Sequence, residues 1–267
     1  MKRATAVILF GCFLIFPSFY AVAAQNFSAK SASSDAALEP PLAKPVVGEK
    51  LFFDVYWMTF HVGFGSLEVK EEVKLHGREA YHVIAIARTN DFLSKIYPIR
   101  DEIHSFIDAE KFRSLEFRKT LQEGRYRADE RVVFDHNKKK GLYRSFLNKS
   151  EKEIGVASDV NDLVSAFYWF RSQNVPPGKS AHILVNSEEK DWDLEMQVLQ
   201  RETKAIRGRG NVDTILVEPK TRLKGILYDR GRAWINFSTD KTRTPVLITI
   251  KTQFGPVRGA LRKDAVH

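Results

Sequence analysis

The sequence predicts a mainly β protein, a strongly curved antiparallel sheet or near-barrel with one buried helix around residues 159–173. Three observations carry that prediction. From Gly48 onward, apolar residues recur at every second position in stretch after stretch. Short turn signals punctuate those stretches. One run, Val160–Gln173, contains neither Gly nor Pro and is apolar on more than one side. Strict alternation places successive side chains on opposite faces, which describes half-buried strands of an antiparallel sheet. Many such strands joined by tight turns form a meander that curls toward a barrel.

The chain opens with Lys2 and Arg3, an uncharged apolar run from Ala4 to Phe16, Pro17-Ser18 and the small residues Ala21-Val22-Ala23-Ala24. A charged start, a short apolar middle and a small-residue end make a secretory signal peptide over residues 1–24. Cleavage near Ala23 or Ala24 predicts a periplasmic or secreted protein of about 243 residues. The apolar run is shorter than the ~20 residues a membrane span needs and ends at Pro17, so no retained transmembrane helix is expected. Cys12, the one cysteine, follows Gly11 as in a lipoprotein processing site. Phe10 is bulky where that site wants a small residue, and the apolar run continues past Cys12, so a lipid anchor is not the expected reading. Cleavage then removes Cys12, leaving no thiol for a disulfide or a thiolate metal site.

Residues 25–47 are rich in Ala, Ser and Pro, a composition that buries little apolar surface and predicts a flexible linker. The remainder, 48–267, is long enough for a sizeable core and is expected to be a single antiparallel β domain with one helix. Its strands are legible by their period. Leu67, Val69, Val73 and Leu75 alternate with Glu68, Lys70, Glu72 and Lys74. Leu115, Phe117 and Leu121 alternate with Glu116, Arg118 and Thr120, and Trp192, Leu194, Met196 and Val198 with Asp193, Glu195 and Gln197. His76-Gly77, Glu123-Gly124, His136-Asn137, Asp229-Arg230-Gly231 and Phe254-Gly255-Pro256 read as turns. Gly63-Phe64-Gly65 predicts a bulge or a sharp bend, and Arg207-Gly208-Arg209-Gly210 a hairpin turn.

The helical run is stopped by Asn174-Val175-Pro176-Pro177-Gly178, with Ser158 or Asp159 as the expected cap and Asp162 suited to the positive end of the dipole. Val160, Leu163, Val164, Phe167, Tyr168 and Phe170 cover more than one stripe, so this helix is expected inside the curved sheet.

Net charge is +9, and it is unevenly placed. Residues 25–200 carry 25 Lys/Arg against 27 Asp/Glu, whereas residues 201–267 carry 15 against 6. A basic segment on an exported protein suits anionic partners such as lipid head groups, lipopolysaccharide or acidic glycans, and nucleic acid is not an expected partner. A solvated basic face is the simpler account.

Motifs for catalysis are sparse. No His-Glu-x-x-His, Gly-x-Ser-x-Gly or phosphate-loop pattern occurs, so neither a metal nor a cofactor is predicted. Glu102 and His104 share a strand face and could exchange a proton, although a rim hydrogen bond is the commoner role of such a pair. Asp191, Asp193 and Glu195 also share a face; pairing with cations of a neighbouring strand is favoured over metal binding.

Two parts of the chain resemble a known family. Gly48-Glu49-Lys50-Leu51-Phe52-Phe53-Asp54-Val55-Tyr56-Trp57 with Gly63 and Gly65 resembles the start of domain of unknown function family 3108. Asp162 through Arg171 with Gly178, and Trp234 with Asp240, Arg243, Pro245 and Val246, resemble its later parts. The resemblance spans roughly Gly48 to Lys263 and implies an exported bacterial protein, mostly of Gram-negative type, built on antiparallel β-structure. It implies no activity. At the level of fold it is similar to the periplasmic half-barrels that carry lipoproteins or lipids.

Aromatic residues crowd two segments, Phe52–Phe64 and Phe167–Phe170. Core packing accounts for many of them, and the rest would line a concave apolar site. The expected function is therefore non-enzymatic binding or carriage of an apolar or amphiphilic envelope ligand. Trp57, Phe60, Phe64, Phe167 and Trp169 are the candidates for its apolar part, and Arg222, Lys224 and Arg232 for an anionic head group. An interaction or scaffold protein of envelope assembly, with envelope proteins as partners, is the alternative; a hydrolase using Glu102 and His104 is third.

Overall fold

The computed structural model describes residues 44–223, 226–228 and 232–264. The expected signal peptide with Cys12, nearly all of the linker, Lys224 and the Asp229–Gly231 turn lie outside the described residues. Fifteen strands follow in chain order: β1 (Lys50–Trp57), β2 (Phe60–Leu75), β3 (Arg78–Thr89), β4 (Arg100–Asp108), β5 (Ser114–Glu123), β6 (Tyr126–Asp135), β7 (Lys140–Ser145) and β8 (Ser150–Gly155). The second half holds β9 (Ser180–Ser187), β10 (Lys190–Ile206), β11 (Gly210–Leu223), β12 (Ile226–Tyr228), β13 (Arg232–Ser238), β14 (Pro245–Thr252) and β15 (Gly255–Leu261). A short helix, α1 (Asp91–Ser94), joins β3 to β4, and α2 (Leu163–Ser172) joins β8 to β9.

All strands belong to one antiparallel sheet in the order β8-β7-β6-β5-β4-β3-β2-β1-β15-β14-β13-β11-β10-β9, with β12 folded back on β11. Two meanders therefore meet in the middle, where β1 pairs β15 from Phe53↔Leu261 to Trp57↔Val257. The sheet bends at bulges: opposite Gly63 between Val55 and Tyr56, and again at Val69/Glu71, Phe106/Ile107 and Val198/Gln200. Each inserts an extra residue on one strand and increases the local twist. The bulge at Val69 also ends the buried run of β2, so Val73 and Leu75 are only half-buried.

The concave face holds the core. Leu51, Phe53, Val69, Val83, Ile103 and Leu261 surround Val164 and Tyr168 of α2. On the other side, Val185, Met196, Val198, Val217 and Phe237 surround Ala166 and Phe170. Phe167 packs against both groups, so α2 joins the two halves of the sheet. The buried helix is thus present, but it is shorter than 159–173. Asn161 is held as an extended bridge to Val185 of β9, donating to the Leu184 carbonyl at 2.8 Å. The cap consequently falls on Asp162 and not on Ser158 or Asp159: its carboxylate accepts from the Val164 and Ser165 amides, and Ser165 closes a reciprocal capping box.

The sheet does not close into a barrel. β8 and β9 remain its edges, tied together by an ion pair between Lys152 and Glu189 and by the Ala157 amide donating to Asp191 Oδ2 at 2.6 Å. No helix among the described residues is long and apolar enough to cross a membrane.

Candidate functional site

The helix does not fill the whole concavity. Beside its N-terminus a cavity of about 290 Å³ lies between the concave side of β5–β7 and the turn joining β9 to β10. Phe117 and Phe134, with Tyr126 and Tyr143, form one wall, and Val132 and Leu163 lie on the same apolar side. These rings face inward because period-two alternation puts Phe117 on the Leu115 face of β5 and Phe134 on the Val132 face of β6. The opposite wall is polar, made of Asn186, Ser187, Glu188 and Glu189.

Two charged groups stand inside this frame. Glu130 and Lys119 pair at 2.9 Å across β5 and β6. Burial, with Glu130 beside it, pushes the Tyr143 hydroxyl up to about 12, so it remains a neutral donor at any ordinary pH. At the mouth, the Lys152 ammonium sits over the Tyr143 ring, 5.4 Å from its centre, while pairing with Glu189. A cavity with one aromatic wall and one hydrogen-bonding wall can hold a ligand with an apolar body and a polar end.

The seven candidate binding residues that lie among the described residues do not line this cavity. Phe167 and Trp169 are on α2, inside the sheet; Phe167 tilts against Phe237 at 5.6 Å and Trp169 packs on the same cluster. Trp57 ends β1, packs on Val55, Val62, Ile99 and Val257, and donates from Nε1 to the Phe254 carbonyl at 2.9 Å. Phe60, at the same end, is 67% exposed, and Phe64 stands edge-on to His61. Arg222 is paired with Glu195 at 3.0 Å, and Arg232 with Glu218 while lying over Trp234. Lys224 is outside the described residues. Of the acidic trio, Asp191 accepts from Asn186, Asp193 meets His182 and Glu195 meets Arg222, so each has a separate partner.

Glu102 and His104 do meet, at 2.9 Å, but as part of a longer chain. His104 Nδ1 lies 2.9 Å from His82 Nε2, and His82 Nδ1 lies 3.3 Å from Glu71. His82 is stacked on Phe106 at 4.5 Å. Filling all three contacts takes three ring protons, one more than two neutral imidazoles carry. Burial holds His82 below its usual range, with the neighbouring Glu71 carboxylate working against it. His82 and Glu71 were not legible as partners because their contact depends on the register of β2 with β3.

The interior also holds an ion pair that periodicity does not reveal. Arg171 of α2 makes a two-pronged contact to Glu49, at 2.6 and 2.8 Å, and Tyr168 donates its hydroxyl to the same carboxylate at 2.9 Å. Arg171 also donates to the Thr242 carbonyl. These bonds clamp α2 to the start of β1 and to the β13–β14 turn.

Comparison with known proteins agrees with this architecture. The family model described as "Protein of unknown function (DUF3108)" matches residues 53–262. No curated protein matches the chain. Among solved structures, a β-barrel-like protein of the domain of unknown function DUF1849 from Brucella abortus superposes with a TM-score of 0.53 at 10% identity, covering 83% of this chain and 98% of that one. A candidate lipoprotein from Parabacteroides distasonis gives a TM-score of 0.34 at 9% identity, covering 83% of this chain and 97% of its own. The likeness to the first is one of fold.

Proposed function

This chain belongs to the DUF3108 family, whose function is unknown, and from that premise we propose that it is an exported envelope protein that binds an amphiphilic ligand without transforming it. The observation that carries the reading is the cavity beside α2, with rings on one wall and hydrogen-bonding groups on the other. Its size suits a small molecule or one segment of a lipid chain. The charged groups lining it are Lys119 against Glu130, Glu188 and Glu189, so a polar end entering there meets hydrogen-bond acceptors and carboxylates more than cations. Arg222 and Arg232, engaged with Glu195 and Glu218, are placed for the outer surface. The signal layout of residues 1–24 supports a periplasmic or secreted location.

Native mass spectrometry of the protein released gently from the cell envelope tests this directly. A bound mass that disappears when Val132→Trp fills the cavity is the expected result. A clean unliganded mass in the natural protein, under conditions that preserve the fold, overturns the reading.

A further inference from the structure

The connections of an antiparallel meander alternate between two ends of the sheet, and here the two ends differ sharply. The registers put the β1–β2, β3–β4, β5–β6, β7–β8 and β14–β15 connections at one end. Each of the five presents a large apolar side chain to solvent. Met58 and Phe60 stand on the first, and Phe92 and Ile96, 74% and 70% exposed, on the second. Tyr126 follows on the third, Phe146 and Leu147 on the fourth, and Phe254 on the fifth. These are eight of the thirteen exposed large apolar side chains among the described residues.

The opposite end is built of the His76–Gly77, Ala109–Arg113, His136–Lys139, Arg207–Arg209 and Thr239–Thr244 turns. Within these turns Phe112 is the one large apolar residue, and it is buried; Val46 and Val47, ahead of β1, are the large apolar side chains exposed on that side. Lys111, Lys138, Lys139, Arg207 and Lys241 are exposed there. Local structure explains how the apolar end is maintained. In the β3–β4 connection, Asn90 caps α1 by accepting from the Leu93 amide, and Leu93 and Tyr97 pack on Val55, Val62 and Ile99. Phe92 and Ile96, four residues apart, share the face turned away from that anchor.

We propose that this apolar end is a docking surface for an anionic lipid bilayer. Neighbouring tips on the β1–β8 half are two strands apart, roughly 10 Å, so their side chains stand singly and not as one continuous patch. A flat protein partner would leave such separated rings poorly packed, whereas each tip enters a lipid interface independently. The five tips carry Lys95, Arg125 and Lys149 against one carboxylate, Asp91, and long cationic side chains beside inserted rings meet lipid phosphates. The β9–β10 turn at that end differs, with Glu188 and Glu189, of which Glu189 is paired with Lys152. Tyr126 belongs both to these tips and to the cavity wall, so cavity and docking surface share one end of the molecule.

Flotation of the chain from Gln25 onward, the form expected after cleavage and free of both the apolar leader and Cys12, with vesicles of phosphatidylglycerol and phosphatidylethanolamine tests the proposal. Joint Phe92→Ser and Ile96→Ser substitution is expected to weaken binding by roughly tenfold or more, while Leu142→Ser on the exposed middle of β7 leaves it unchanged. Phe92→Trp alone, read by its quenching with brominated lipid, gives an answer that does not depend on the double variant folding. Lys111→Trp at the opposite end should add no quenching to that of the natural protein, whose Trp57 already lies beside the Phe254 tip. Absence of co-flotation at low salt, equal loss in the Leu142 variant, or added quenching at Lys111 instead of Phe92 overturns it. None of these readouts depends on occupation of the cavity, which mass spectrometry reads separately.

Discussion

Single residues decide whether α2 stays inside the sheet. The Glu49–Arg171 pair is nearly dry, with side chains 5% and 4% exposed. Removing one partner strands a charge where water cannot reach it, and that cost outweighs what the intact pair contributes. Glu49→Ala is therefore expected to lower stability by about 3–5 kcal/mol in urea unfolding, with Arg171 left uncompensated beside Tyr168. A second buried pair has the opposite electrostatic character. Asp101 and Glu123 lie on neighbouring strands and share a side-chain hydrogen bond. Burial raises Asp101 to about 6, and burial together with the Asp101 charge raises Glu123 to about 7. Raised carboxyls bind more protons folded than unfolded, so their contribution to stability is present below about pH 4 and is lost as pH rises toward 7. Glu123→Gln should flatten that fall, seen as a smaller difference in Tm between pH 5 and pH 7.5 than in the natural protein. An unchanged difference would show that the two carboxyls do not share a proton. Neither pair is visible in the sequence as a pair, since Glu49 and Arg171 lie far apart in the chain and Asp101 reads as one more polar strand residue.

At the scale of elements, alternation was a faithful guide to which side of a strand is buried. The inward faces of β5 and β10 carry the residues the period predicts, because a pleated strand has no other way to dispose them. Two exceptions have local causes. Glu116 falls on the polar face of β5 yet is fully buried; burial alone would raise its carboxyl, but Arg131 and Arg118 cover it and hold it low. Helix α2 begins at its capping box and not where the apolar run begins, because Asn161 is already committed to β9. The aromatic crowding of Phe52–Phe64 did not mark one site. Period two divides Phe53 and Val55 from Phe52 and Phe64, and the β1–β2 turn lifts Met58 and Phe60 clear of both faces. The cavity wall was missed for the complementary reason. Its rings come from three strands, one or two at a time, and no sequence window contains more than a pair of them.

For the whole molecule, the decisive contact is β1 with β15, which joins chain segments about 200 residues apart in the centre of the sheet. Such a pairing forms late and slowly, because its loop-closure entropy must be overcome before the flanking strands reward it. With α2 packed on both halves, the described fold should unfold in one cooperative transition. Ending the chain at Thr252 removes β15 and is expected to abolish that transition in circular dichroism melts. A truncated chain that still melts cooperatively would instead mark the two meanders as independent domains.

Antiparallel strands, a curved sheet and the buried helix were already written in local sequence, because periodicity, turn residues and the lack of Gly or Pro act over a few neighbours. The family was legible too, from short stretches such as Asp162–Arg171. Where the sheet halves meet, how far α2 fills the concavity, and which turns gather at which end depend on register between distant strands. A one-residue slip in that register would turn every ring to the other face. The cavity, lined by β5–β7 on one side and by Leu163 and the β9–β10 turn on the other, and the alignment of the β14–β15 tip with the rest therefore exist only once the two halves have met.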